Sequence, residues 1–283
     1  MLPATKAIPK ELLPIYDRPL IEHVVREAIN GGIREIIFIT RSGKESIENH
    51  FDAHYELEHR LVKKGKHKIL EDIVKIIPDE IKISSIRQPD ALGLGHAILC
   101  AKHLINDEPF AILLPDVLVL DKKIREKSFS FVQLAHAWHN TGVSQLMIEQ
   151  VDSDSIEKYG IVDPCEKEIG LFETISLNGL IEKPSPQNAP SNLAILGRYI
   201  LSPKIFDLLE NLKPGVGGEI QLTDALNKLL SFEGLNALKT DADVYDCGNK
   251  LGFLSANLAV GLRDPKSSII IHELFKKLIN KDF

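Results

Sequence analysis

Two aspartates stand where short apolar runs end. Asp116 follows residues 110–114 and Pro115, and Asp246 follows Val244-Tyr245 just ahead of Cys247-Gly248. Carboxylates brought together from separate strands are hard oxygen donors, a set that suits Mg²⁺ shared with phosphates. An aspartate in such a place serves equally as a turn or cap residue. Lysines for phosphate binding come at the other end of the chain. Lys6 and Lys10 lie in MLPATKAIPKELLPIYDRPLI, which Pro3, Pro9, Pro14 and Pro19 punctuate. Proline fixes φ and lacks an amide donor, so no regular element is expected before residue 20. A stiff cationic loop feeding a helix N-terminus is a good place to hold phosphates.

Other residues admit two readings. Gln88, Gly93 and Gly95 follow a strand ending at Arg87. G-L-G-H is too short for a dinucleotide fingerprint, and no Walker A spacing occurs. The stretch is either a plain strand-to-helix turn or a place where glycines let the backbone approach a flat base while the glutamine amide pairs with its edge. Glu182-Lys183-Pro184 ends the apolar run 177–181, and a solvated charged pair of this kind adds only about 0–1 kcal/mol to stability. Glu219, in GGEIQLTDA, reads equally as a helix cap. His50 and His54, and His136 and His139, have helical spacing but no third ligand, so a polar helix face explains them better than a metal. No G-x-S-x-G elbow supports Ser–His–Asp catalysis.

The elements that must position these groups follow from periodicity. Leu20, Ile21, Val24, Val25, Ala28 and Ile29 line one side of a helix that Gly31-Gly32 ends. The continuous run Ile36-Ile37-Phe38-Ile39 marks a strand covered on both faces. Polar helices are expected over 45–75, strands over 82–86 and 110–114, and helices over 96–105 and 129–140. This rhythm predicts an α/β protein with a Rossmann-like, mainly parallel mixed sheet and helices on both faces, ligands binding at the carboxyl ends of its strands. Residues 144–201 read as strand-rich. Helices return after Pro203, and Ile270, Ile271, Leu274, Phe275 and Leu278 stripe the tail. The 283 residues show no repeat or linker, and are read as one domain. A net charge of −6 argues against nucleic acid as a bulk partner. Cys100, Cys165 and Cys247 are too far apart in sequence to suggest a disulfide framework or zinc site. No run reaches membrane-spanning length, and prolines and charges after Met1 are unlike a signal peptide, so a cytoplasmic protein with no membrane partner is expected.

The segments LPATKAIPKELLPIYDRPLI, RQPDALGLGHA, LLPD, YGIV, IEKP, SNLAILGRYIL, GEIQLTDAL and DCGNKLG, in this order, resemble the bacterial UTP–glucose-1-phosphate uridylyltransferases among the sugar-nucleotide nucleotidyltransferases. The resemblance implies transfer of the uridylyl group of UTP to glucose 1-phosphate, with Mg²⁺ as cofactor and a dimeric or tetrameric homo-oligomer. It makes Asp116 and Asp246 the metal ligands and assigns Gln88 and Gly93 to uracil. Glu182, the Tyr159-Gly160 backbone and Glu219 would face the hexose, Lys183 would orient the sugar phosphate, and Lys10 would stabilise the leaving pyrophosphate. Residues 1–143 then form a nucleotide-binding part, 144–202 a sugar-binding part and 203–283 a helix-rich part. Members of that family begin with a strand and a G-x-G-T-R loop, and this chain starts just after where that loop would end. Without a strand buried on both faces, residues 1–283 are expected to be poorly soluble and inactive. The remaining alternatives are a related transferase using dTTP or another hexose 1-phosphate, or a catalytically dead sugar-nucleotide-binding protein.

Overall fold

The proline-rich opening takes regular form in short pieces. The computed structural model describes residues 1–122, 129–166 and 168–279. In it Lys10–Leu12 makes a 3₁₀ turn, and β1 (Pro14–Ile15) pairs antiparallel with β2 (Arg18–Pro19). The expectation of no regular element before residue 20 is therefore corrected. Pro14 and Pro19 oppose each other at the ends of a two-residue ladder, where the missing amides cost little. The helix Leu20–Asn30 follows, burying Leu20, Ile21, Val24, Val25 and Ala28, and the Gly31 N–H closes it onto the Glu27 carbonyl at 2.9 Å.

Strands β3 (Glu35–Thr40) and β4 (Lys82–Arg87) run parallel, joined through three short helices, Glu45–Phe51, Tyr55–Lys63 and His67–Val74. The helix Gly93–Cys100 leads to β5 (Phe110–Leu113) and β6 (Val117–Leu120), with the helix Phe129–Thr141 beyond. Next come β7 (Gln145–Gln150), β8 (Gly160–Pro164), β9 (Thr174–Glu182) and β10 (Leu193–Leu201). Helices Lys204–Glu210 and Leu222–Glu233 precede β11 (Asn236–Lys239) and β12 (Asp243–Asp246), and helices Lys250–Arg263 and Pro265–Ile279 end the described chain.

The main sheet has the order β5-β10-β7-β11-β9-β8, with β10 also touching β8 through Ala194 and Ile161. The α/β class and the mixed sheet are as expected, but the pairing is more antiparallel than the helix–strand rhythm implies. Among the described residues only β3–β4 and β7–β11 run parallel. Parallel neighbours need long crossovers, and β7 to β10 follow one another without an α-helix between them. Alternation along β7 sends Leu146 and Ile148 to one face, against the helices Leu222–Glu233 and Lys204–Glu210, and Met147 to the other, against Phe131 and Leu134.

Strands β3 and β5 do not meet. Among the described residues β3 pairs with β4 alone and β5 with β10 alone, and an apolar slot of about 690 Å³ lies between them. Helix residues Val24, Val25, Ile98 and Trp138 also line it. The C-terminal ends of both strands approach the same turn, because Lys44 beyond β3 bonds Glu11 and Asp116 beyond β5 bonds Lys10, each at 2.6 Å. Two slot-lining groups, Glu11 Oε2 and Trp138 Nε1, are buried without a hydrogen-bond partner among the described residues.

Candidate active site

Pro115-Asp116 breaks the apolar run 110–120 into β5 and β6, so Asp116 occupies the turn between them. Strand β12 pairs antiparallel with β6, placing Asp246 opposite Val117. The Cys247 N–H donates to the Asp116 carbonyl at 2.8 Å, locking the two segments together. Both carboxylates converge on Gly248. A Cβ there would lie 2.9 Å from Asp246 Oδ1, 3.4 Å from Asp116 Oδ2 and 3.9 Å from Lys10 Nζ. Lys10 Nζ donates to Asp116 Oδ2 at 2.6 Å. Burial alone would lower the pKa of this ammonium, but the hydrogen bond to Asp116 and the charges of Asp116, Glu11 and Asp246 hold it above the usual lysine value. The neighbouring Cys247 thiol is pushed up to about 12 by burial and then by both aspartates, so it is no nucleophile at neutral pH.

Two side chains hold this turn in place. Arg198, fully buried on β10, donates to the carbonyls of Leu114 and Val117 on either side of Asp116, at 3.0 and 2.8 Å. Asn249 caps the helix Lys250–Arg263 by accepting from the Gly252 N–H at 2.8 Å, while its amide donates to Asp246 Oδ2 at 3.0 Å. The Gly248 N–H donates to Asp246 Oδ1 at 2.8 Å, so both oxygens of Asp246 are oriented.

A second group forms where β4 ends. Gln88 Nε2 donates to the Gly93 carbonyl and to His96 Nδ1, each at 3.1 Å, leaving its carbonyl oxygen to accept. Gly93 has φ +90°, a left-handed conformation that favours glycine. Side-chain and backbone atoms of Glu219 and Ile220 press on this turn, so a Cβ at Gly95 would come within 2.6 Å of the Ile220 carbonyl. The glycines thus also serve packing of the 219–220 segment, which sequence spacing did not disclose.

A third group lies at the β8–β9 edge. Gly160 pairs with Glu182, and a Cβ on Gly160 would sit 3.2 Å from Glu182 Oε2. Thr223 Oγ1 donates to that same oxygen at 2.7 Å. The segment from Glu219 to Thr223 therefore touches both the Gln88–Gly93 turn and the Glu182 carboxylate. Lys183 is held at φ +47°, unusual for a side-chain-bearing residue, with its N–H on the Tyr159 carbonyl at 3.0 Å. Its ammonium stands exposed, 3.7 Å from Glu182 Oε1. The Tyr159 hydroxyl is pushed above its usual pKa by burial, then by the charges of Asp246 and Glu149.

A profile of the nucleotidyl transferases matches residues 1–261. The chain belongs to the nucleotidyl transferase family. This nucleotidyl transferase is 44% identical over 278 residues to the UTP–glucose-1-phosphate uridylyltransferase of Haemophilus ducreyi, covering 98% of its own length and 94% of the relative's. It is 45% identical over 263 residues to the enzyme of the same name in Escherichia coli, covering 93% and 86%. Among solved structures it superposes on a UDP-glucose pyrophosphorylase from Acinetobacter baumannii with TM-score 0.90 at 42% identity, and on a UTP-bound form with TM-score 0.89 at 42% identity. Each covers 98% of this chain and 94% of the other.

The residues singled out in the sequence of this nucleotidyl transferase thus fall into three groups: Lys10, Asp116 and Asp246; Gln88, Gly93 and Glu219; and Gly160, Glu182 and Lys183. Among the described residues no three His, Cys, Asp or Glu side chains cluster as a metal site. An ion on Asp116 and Asp246 would complete its shell with phosphate and water oxygens, which is how Mg²⁺ is commonly bound, and the paired hard carboxylates fit it. Arg198, Asn249 and Thr223 were not legible as site residues, since each acts through another residue. His50 and His54 take other roles. His50 bonds Glu22 at 3.2 Å, and His54 caps a different helix by accepting from the Leu57 N–H, so their spacing does not put them on one helix face.

Proposed function

We propose that this nucleotidyl transferase transfers the uridylyl group of UTP to glucose 1-phosphate, giving UDP-glucose and pyrophosphate. The observation that carries the reading is the convergence of Asp116, Asp246 and Lys10 on Gly248, a charge arrangement suited to a triphosphate that arrives with a divalent cation. Relatives sharing more than 40% identity over nearly the whole chain carry that name, and a solved structure at 42% identity is titled UTP-bound.

A phosphate oxygen of the sugar attacks the α-phosphorus of UTP. The new P–O bond forms as the bond to the β-phosphate oxygen breaks, and its electron pair leaves with pyrophosphate. Such a reaction needs alignment and charge neutralisation more than a covalent nucleophile. Gln88 presents its carbonyl oxygen to the uracil N3–H, and Gly93 lets the backbone lie close to the ring. Glu182 accepts from hexose hydroxyls, and Gly160 leaves room for the sugar. Glu219 closes the space between base and hexose. Lys183 orients the attacking phosphate, and Lys10 receives charge on the leaving pyrophosphate. Asp116 and Asp246 would hold Mg²⁺, which would supply charge neutralisation for the reacting phosphates. Uracil and thymine share the N3–H, so Gln88 alone does not separate UTP from dTTP. The reading includes a cytoplasmic homo-oligomer, dimer or tetramer; the exposed Ile270, Leu274 and Phe275 on the last helix are apolar surface available for self-association.

Pyrophosphate release from UTP and glucose 1-phosphate tests the reading, with dTTP and galactose 1-phosphate as comparators and UDP-glucose calorimetry alongside. UTP and glucose 1-phosphate should turn over fastest, and Asp116→Asn or Asp246→Asn should cut kcat on the order of 10²-fold or more. Tight UDP-glucose binding without turnover would point to a binding protein.

A further inference from the structure

Lys10, Asp116 and Asp246 crowd one small space. The ammonium is 2.6 Å from Asp116 Oδ2, and a single point at Gly248 lies within 2.9 to 3.9 Å of all three charged groups. Two carboxylates so placed repel unless a cation stands beside them, and Lys10 is the cation bonded there. Its side chain is 40% exposed, so it is free to leave along its own flexible stem. Pro9 and the Lys10–Leu12 turn meanwhile hold its backbone in place.

A divalent ion on Asp116 would sit about 2.0–2.1 Å from a carboxylate oxygen. The ammonium and the ion cannot share that oxygen without facing each other as like charges. We propose that Lys10 is an exchangeable cation: it neutralises Asp116 until the metal arrives, cedes that carboxylate, and swings to the phosphates that arrive with the metal. This rests on the reading of Asp116 and Asp246 as metal ligands. The arrangement makes metal and nucleotide bind cooperatively. Metal alone must break the Lys10–Asp116 ion pair with no phosphate to replace it, whereas metal with UTP brings phosphates that offer the displaced ammonium a new partner.

Mn²⁺ titration followed by electron paramagnetic resonance reads this without turnover. In the absence of nucleotide, Lys10→Met should bind Mn²⁺ about tenfold more tightly than the parent protein, because it removes the competing charge. Lys10→Arg, which keeps the charge, should match the parent. With saturating UTP the advantage of Lys10→Met should vanish or reverse. Equal affinity of parent and Lys10→Met for bare Mn²⁺, with binding still lost in Asp116→Asn, would overturn the exchange and leave the metal ligands standing. Mn²⁺ binding that ignores Asp116→Asn in every variant would overturn the metal reading, and the exchange with it.

Discussion

Arg198 and Glu27 form a two-pronged ion pair inside the protein, at 2.9 and 2.7 Å, joining strand β10 of the main sheet to the first long helix. The same guanidinium donates to the carbonyls on either side of Asp116. Arg198→Met would strand Glu27 as a buried charge and free the Asp116 turn. Removing one partner of such a pair costs about 3–5 kcal/mol, a large share of an ordinary domain's net stability of about 5–15 kcal/mol. Urea unfolding should show that loss, and surviving folded protein should have reduced kcat. Arg198→Lys should recover part of the stability and little of the rate, because an ammonium lacks the planar fork that serves carboxylate and carbonyls together. A stable, fully active Arg198→Met would show that the turn holds itself.

The reason Arg198 escaped notice is physical. It lies in SNLAILGRYIL, where an apolar strand announces itself by its run of large side chains, whereas a buried arginine declares its role only through partners far away in sequence. The meeting of Asp116 and Asp246 was legible for the opposite reason, since one lies just beyond β5 and the other ends β12, and the topology alone brings them together. The parallel pair β3–β4 was readable from its connecting helices. The antiparallel majority was not, because register among β7 to β10 is decided by which faces bury Leu146, Met147 and Ile148.

The two lysines should separate kinetically. Lys183, exposed at the β8–β9 edge, faces the sugar phosphate in the proposed reaction, whereas Lys10 lies at the aspartate pair. Lys183→Ala should raise KM for glucose 1-phosphate far more than for UTP. Lys10→Ala should act mainly on UTP and, in the reverse direction, on pyrophosphate. Steady-state kinetics in both directions would decide, and identical effects of the two changes on every substrate would defeat the assignment.

Glu149 offers a pH signature. Burial, and then the charge of Asp243, raises its pKa to about 7 from an unperturbed 4.5. The folded state therefore holds a proton that the unfolded chain has released between those values. Its stabilising share is complete below about pH 4.5 and is lost as pH climbs through 7. Glu149→Gln should remove this decline, leaving a flatter stability profile from pH 4.5 to 7 and a more stable protein above 7. Thermal unfolding at several pH values checks it, and parallel curves for the two proteins would exclude Glu149 as the source.

The slot between β3 and β5 predicts a response to an added strand. Both strands turn unpaired ladder edges toward it, their carboxyl ends meet at residues 10–11, and helices cover its two faces. An extended peptide of about six residues, apolar on both faces, has the shape and chemistry to enter: its amides complete two ladders and its side chains bury against Val24, Val25, Ile98 and Trp138. A donor near its carboxyl end would satisfy the buried Glu11 Oε2. Each side chain fully buried is worth about 1.5–3 kcal/mol, and ordering a free peptide returns much of that sum. A valine- and isoleucine-rich hexapeptide ending in lysine should therefore raise Tm by at least about 4 °C, at about 2–4 °C per kcal/mol. It should also slow amide exchange along β3 and β5 specifically. A matched peptide with proline at its centre cannot donate to the ladder and should do neither. If the proline peptide stabilised as well as the other, the gain would come from nonspecific apolar contact, and the strand-shaped account of the slot would fail.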